Sequence, residues 1–142
     1  MEKLKKSVRK ITEIVVHCTA TPAGRDVAVA DVDRWHRQRG FAGIGYHYLI
    51  ALDGTVYAGR DVDVAGAHCR GHNRSSIGVC YVGGLDVARQ PADTRTQAQH
   101  RALRGLLVAL KRLYPDAVIR GHRDFAAKAC PCFDVTTEYA GL

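Results

Sequence analysis

The chain has 142 residues, 46% hydrophobic and 25% charged, with four prolines and no low-complexity tract, which excludes a disordered or fibrous polypeptide and argues for one domain with its own core. No internal repeat or linker is present, so a separate binding module is not expected. Lys and Arg number 21 against 14 Asp and Glu, a net charge of +7 that suits an anionic partner (nucleic acid, an acidic wall polymer or a membrane surface) without choosing among them.

The first ten residues, MEKLKKSVRK, look like the basic start of an export signal. The following ITEIVVHCTATP is interrupted by Glu13 and His17 and supplies no apolar stretch of ~7–15 residues. His17 before Cys18 also spoils a lipoprotein signal, and no run reaches the ~18 apolar residues of a membrane span. The expectation is a protein made in the cytoplasm without a signal peptide, with no membrane association and a flexible basic tail over residues 1–10 ahead of a domain over residues 11–142. Five cysteines (18, 69, 80, 130 and 132) cannot all pair within one chain, and a bridge between Cys130 and Cys132 across Pro131 would have poor geometry. Reduced thiols are the simpler reading.

Ile11 to His17 is apolar and β-branched and predicts a buried strand with His17 at its C-terminal end. Val29, Val32 and His36 recur at helical spacing, predicting a helix from about Asp26 to Gln38 that Gly40 ends. Tyr46 to Ala51 reads as a strand, and Asp53-Gly54 as a hairpin turn into Thr55–Ala58. In the first of these strands, alternation puts Tyr46, Tyr48 and Ile50 on one face and His47 and Leu49 on the other. Ser76 to Val82 is a further strand, closed by Gly83-Gly84. Leu103, Leu106, Leu107, Leu110 and Leu113 form the apolar stripe of the clearest helix, capped by Thr94 with Gln97 or by Thr96 with Gln99. Ala117 to Arg120 is one more short strand, ending just before His122. The intermixing of strands and helices predicts an α/β fold around a single sheet.

His17 and His122 each follow a short apolar strand. If those strands are neighbours, both imidazoles emerge on one rim of the sheet, and Cys130, eight residues after His122, returns to the same place through a loop. Two imidazoles and a thiolate suit Zn²⁺ and leave a fourth position for water. Taken singly, a histidine after a strand is ordinarily structural and a lone cysteine is a small buried hydrophobe, and the spacing matches neither a C-x₂-C pair nor an HExxH helix. Lys128 is by default a solvated charge; beside a metal it would hold its ammonium against a developing oxyanion. Tyr46 is by default a half-buried strand aromatic, with a hydroxyl able to reach the same place. The GHNRSSIG segment at 71–78 reads as a turn, which with His68 would wall a polar groove.

The motifs HCTAT (17–21), WH (35–36), GYHYLI (45–50), DGTVYAGR (53–60), AGAHCRGHNRSSIGVCYVGG (65–84), GHRD (121–124) and KACPCFD (128–134) occur in the order seen in one family. From about Ile11 to Asp134 the chain resembles the zinc-dependent N-acetylmuramoyl-L-alanine amidases, above all the small single-domain amidases of tailed bacteriophages; the peptidoglycan recognition proteins of animals share that fold. The resemblance implies a mixed central sheet flanked by helices, with one zinc in a surface groove. It implies His17, His122 and Cys130 as zinc ligands and Tyr46 and Lys128 as the catalytic pair; His68 and Asn73, from the segment read above as a groove wall, are the expected substrate-binding residues. Cys132 stands where serine or another residue is common. The implied activity is hydrolysis of the amide between N-acetylmuramic acid and L-alanine in peptidoglycan or muropeptides, by a monomer. A non-catalytic wall-binding module is the alternative, although relatives that only bind wall fragments typically lack the cysteine. Some phage amidases also bind the phage RNA polymerase; the charge permits this and no motif requires it. Nucleic acid is not required. Without an export signal, access to the wall would depend on permeabilisation of the membrane.

Overall fold

A computed structural model describes residues 4–142. Strands β1 (Glu13–Cys18), β3 (Tyr48–Ile50), β4 (Val56–Ala58), β5 (Ser76–Tyr81) and β7 (Val118–Gly121) form one sheet in the order β4-β3-β5-β1-β7. The β3–β5, β5–β1 and β1–β7 pairings are parallel and only the β3–β4 hairpin is antiparallel, so the sheet is mixed. Strands β2 (Thr21–Pro22) and β6 (Gly84–Leu85) pair separately in parallel. Among the described residues no helix is long and apolar enough to cross a membrane.

The buried parallel strands need cover on both faces. On one face, Ile14 and Val16 of β1, Tyr48 and Ile50 of β3, and Ile77, Val79 and Tyr81 of β5 pack with Leu103, Leu106, Leu107 and Leu110 of helix α2 (Gln97–Leu113). On the other, Leu49 and Cys80 pack with Val32 of helix α1 (Val29–Gln38), and Trp35 covers their edge. Helix α3 (Val135–Glu138) lies near β7, and Val135 joins the α2 side of the core.

Of the two capping boxes the sequence allowed for α2, the second is used. Thr96 Oγ1 accepts from the Gln99 amide at 3.0 Å, and Gln99 Oε1 accepts from the Thr96 amide at 3.0 Å. The Gln99 side-chain amide also donates to the Ile50 and Val82 carbonyls, which ties the helix start to the strand ends. Helix α1 begins three residues later than its pattern suggested, because Asp31 accepts from the Ala28 amide at 2.8 Å and fixes the first turn there. Gly40, at φ +90°, follows its end.

Two expectations are corrected. The flexible tail over residues 1–10 does not hold for residues 4–10; residues 1–3 lie outside the described residues. Ser7 is buried, its amide donates to Tyr114 Oη and its hydroxyl to the Val62 carbonyl, both at 2.7 Å. The Arg9 guanidinium is held by the carbonyls of Val62, Asn73, Arg74 and Ser76. Tyr46 does not share a face with Tyr48 and Ile50. It precedes β3, where strict alternation no longer applies, and packs on the α1 side with Leu49.

Candidate metal centre

The parallel β1–β7 pairing places Val16 opposite Gly121, so the next residues lie side by side: His17, still in β1, and His122, just past the end of β7. Their ring centroids are 4.5 Å apart. Alternation along β1 sends Val16 and Cys18 to the α2 side, and His17 to the opposite face. His122 opens a single 3₁₀ turn, His122–Asp124, in which Asp124 accepts from the Gly121 amide at 2.8 Å. The loop then returns: the Arg123 amide donates to the Cys130 carbonyl at 2.8 Å, and Tyr81 Oη donates to the Pro131 carbonyl at 2.6 Å. Gly121 permits this close approach, since a Cβ there would lie 3.1 Å from both Pro131 Cδ and Val135 Cγ2.

His17, His122 and Cys130 thereby offer three ligand atoms within 4.8 Å of one another, a group able to hold a metal ion. Cys130 Sγ lies 3.9 Å from His17 Nδ1 and accepts the Cys18 amide at 3.2 Å. Burial holds the His17 pKa well below its ordinary value, reinforced by the nearby His68, His122 and Lys128. His122, half-buried and close to Lys128, is lowered for the same two reasons. Both imidazoles are therefore neutral and can give a lone pair to a cation. The donor set of two neutral nitrogens and one sulfur fits zinc and leaves a tetrahedral site one ligand short.

Cys132 is not in this group. Its Sγ lies 3.9 Å from Cys18 Sγ and donates to the Gly84 carbonyl at 3.3 Å, and burial beside Cys18 pushes its thiol up to about 12. All five cysteines are free. Tyr46 stacks obliquely on His17 at 5.0 Å and on His36 of α1 at 5.2 Å. Burial, with Cys80 and Cys130 nearby, raises its phenol well above the ordinary range, so the hydroxyl keeps its proton. Lys128 is exposed, enters no ion pair among the described residues, and is close enough to lower both histidines.

His68 and Asn73, expected to line a substrate groove, hydrogen-bond within the protein. His68 is buried with Nδ1 2.8 Å from His17 Nε2 and Nε2 3.1 Å from Ser76 Oγ, and Asn73 Oδ1 accepts the amides of His68 and Cys69, each at 2.9 Å. Two described clefts, of about 900 and 610 Å³, contain none of His17, His122 or Cys130. Ligand chemistry, rather than cleft size, locates the site, which opens to solvent at half-buried His122 and Cys130 beside Lys128. Sequence reasoning missed three supports: His36 behind Tyr46, Asp124 on the Gly121 amide, and Tyr81 on Pro131. Only Asp124 had a local signal, an acidic residue placed to cap the turn that starts at Gly121.

Residues 7–133 match the family model described as N-acetylmuramoyl-L-alanine amidase, a match that starts inside the expected tail. The chain is 49% identical over 127 residues to an endolysin of Klebsiella phage KP32, covering 89% of this chain and 84% of that protein. It is 47% identical over 122 residues to an endolysin of Escherichia phage T7, covering 86% and 81%. Its fold matches the endolysin N-acetylmuramoyl-L-alanine amidase LysCS of Clostridium intestinale URNW with a TM-score of 0.79 at 26% identity, over 99% of this chain and 91% of the other. Drosophila PGRP-LB shares the fold at 23% identity, with a TM-score of 0.77 over 96% and 83%. On this match, and with a group of two histidines and a cysteine able to bind metal, the chain belongs to the N-acetylmuramoyl-L-alanine amidase family of peptidoglycan-lysing hydrolases.

Proposed function

We propose that the chain cleaves the amide between N-acetylmuramic acid and L-alanine at one zinc ion held by His17, His122 and Cys130, with Tyr46 and Lys128 as the catalytic side chains. The observation that carries this reading is the convergence of the three ligand atoms within 4.8 Å, with Tyr46 against His17 and Lys128 beside both imidazoles. An amide is a poor electrophile, so the site must supply a nucleophile and a place for negative charge. When bound, zinc supplies Lewis acidity, which brings the pKa of water from ~15.7 towards ~7 and polarises a carbonyl. The protein's own residues do the rest. The Cys18 amide holds the Cys130 sulfur in place by a hydrogen bond, and burial keeps His17 neutral. Lys128 presents an ammonium to the charge that develops on the lactyl carbonyl oxygen. Tyr46, with its proton retained at Oη, orients the reacting oxygen by donating a hydrogen bond and does not act as a phenolate base. The metal-competent group contains no carboxylate, unlike a glutamate-assisted protease site.

One chain contributes every ligand and both catalytic side chains, so a monomer suffices. Peptidoglycan or muropeptides are the proposed substrate, in line with relatives named for peptidoglycan recognition. Mass spectrometry of products from purified peptidoglycan tests the bond. Stem peptides with a free L-alanine amino group and long intact glycan strands are expected. New reducing ends without new amino termini would overturn the amidase mechanism, and the absence of any product would leave only a wall-binding module.

A further inference from the structure

His17 can face a metal only through Nδ1, because Nε2 is taken up by His68 Nδ1 at 2.8 Å. Two neutral imidazole nitrogens at that distance share a single proton. For Nδ1 of His17 to offer a lone pair, the proton must sit on its Nε2, which donates to His68 Nδ1. His68 then carries its own proton on Nε2 and donates to Ser76 Oγ at 3.1 Å. The reverse arrangement, with His68 donating from Nδ1, leaves a proton on His17 Nδ1 and blocks ligation.

The surroundings give the His68 ring little room to turn. The ring meets His17 edge-on at 89°, with centroids 4.8 Å apart. A Cβ on Gly78 would come within 2.6–2.9 Å of three His68 ring atoms, and one on Gly66 within 2.5 Å of His68 Cδ2. Asn73 fixes the backbone from beneath by accepting the His68 and Cys69 amides. His17, His68 and Ser76 are all buried, so no solvent competes for these bonds.

We propose that His68, oriented by Ser76, is a positioning residue that locks His17 in the tautomer whose Nδ1 accepts the metal. The partner on the far nitrogen of a ligating histidine sets its tautomer and ring angle, and loss of such a partner typically weakens metal binding about 10–100-fold. Asn73 contributes indirectly, by holding the His68 backbone.

The test measures zinc affinity by competition with a chromogenic chelator, alongside the melting temperature of each metal-free variant. His68→Leu fills the space without an acceptor, and His68→Asn returns an acceptor near the place of Nδ1. Zinc binding is expected to weaken about 10–100-fold in His68→Leu and to recover most of that loss in His68→Asn. Wild-type affinity in His68→Leu overturns the proposal, as does equal weakening in both variants. If His68→Leu does not fold, ¹⁵N NMR of the zinc-loaded wild type decides: a proton on Nε2 of both His17 and His68 is expected, and one on His68 Nδ1 overturns it. The inference rests on the proposed ligand set and fails separately from it. Wild-type protein that takes up no zinc sinks the ligand set, whereas normal zinc uptake in His68→Leu sinks only the role of His68.

Discussion

Exchanging the two thiols of the Cys130-Pro131-Cys132 segment for serine, one at a time, separates ligand from bystander. Cys130 Sγ accepts the Cys18 amide and faces His17 Nδ1, while Cys132 Sγ points to Cys18 Sγ and the Gly84 carbonyl. A serine at 132 keeps a donor for that carbonyl, so Cys132→Ser should cost within about 1 kcal/mol. A serine at 130 replaces a soft sulfur ligand with a hard hydroxyl oxygen, and zinc retention should be lost. With free zinc 100-fold above the wild-type dissociation constant, binding adds about 2.7 kcal/mol to the stability of the folded state. For a domain of this size, at roughly 2–4 °C per kcal/mol, that is a rise of roughly 5–10 °C in Tm. The rise should appear in the wild type and in Cys132→Ser and vanish in Cys130→Ser. Calorimetric melts with and without zinc, paired with metal analysis after dialysis, read both quantities. A zinc-dependent rise that survives in Cys130→Ser and disappears in Cys132→Ser would refute the assignment and move the sulfur ligand to Cys132.

Lys128→Met should keep zinc and the fold while lowering kcat and kcat/KM together by about 10–10²-fold, less than the roughly 10²–10³ of a buried oxyanion donor because the ammonium is solvent-screened; unchanged kcat with a raised KM would leave Lys128 as a substrate-binding charge. His47 is buried, its Nδ1 accepts the Gly78 amide, and burial lowers its pKa from 6.5 to about 4. The unfolded chain therefore takes up a proton below about 6.5 that folded His47 refuses until about 4. Its contribution of about 3 kcal/mol is full above that window and is lost as pH falls through it. Urea melts of metal-free protein at pH 7 and pH 4.5 should differ in this direction, and equal midpoints would count against it. Deleting residues 1–9 should lower stability by about 3–6 kcal/mol, since it removes six hydrogen bonds of Ser7 and Arg9 at roughly 0.5–1 kcal/mol each; an unchanged denaturation midpoint would restore the idea of a loose tail.

The sequence by itself determined the elements and the chemistry available to them. The leucine stripe of α2, the β-branched run of β1 and the Asp53-Gly54 turn are local signals, and each became the element its spacing implied. His17, His122 and Cys130 were identifiable as a donor set before any geometry, because the motifs around them stand in a recognisable order. Other features were decided only in three dimensions. That β7 pairs with β1 in parallel, which sets His17 beside His122, depends on sheet order, and no short-range pattern encodes that order. Tyr46 defeated the alternation rule because it lies outside the ladder that enforces it, and it turned towards His17. The basic start of the chain looked loose because its anchors, Tyr114, Val62 and Ser76, are 107, 55 and 67 residues distant. The hydrogen bond between His68 and His17 was hidden for the same reason. A polar side chain near a turn reads as exposed until its partner is known, and the partner of His68 is a histidine 51 residues earlier in the chain. Local propensity acts through neighbours in sequence, whereas a metal site is assembled from contacts that only the closed sheet brings together.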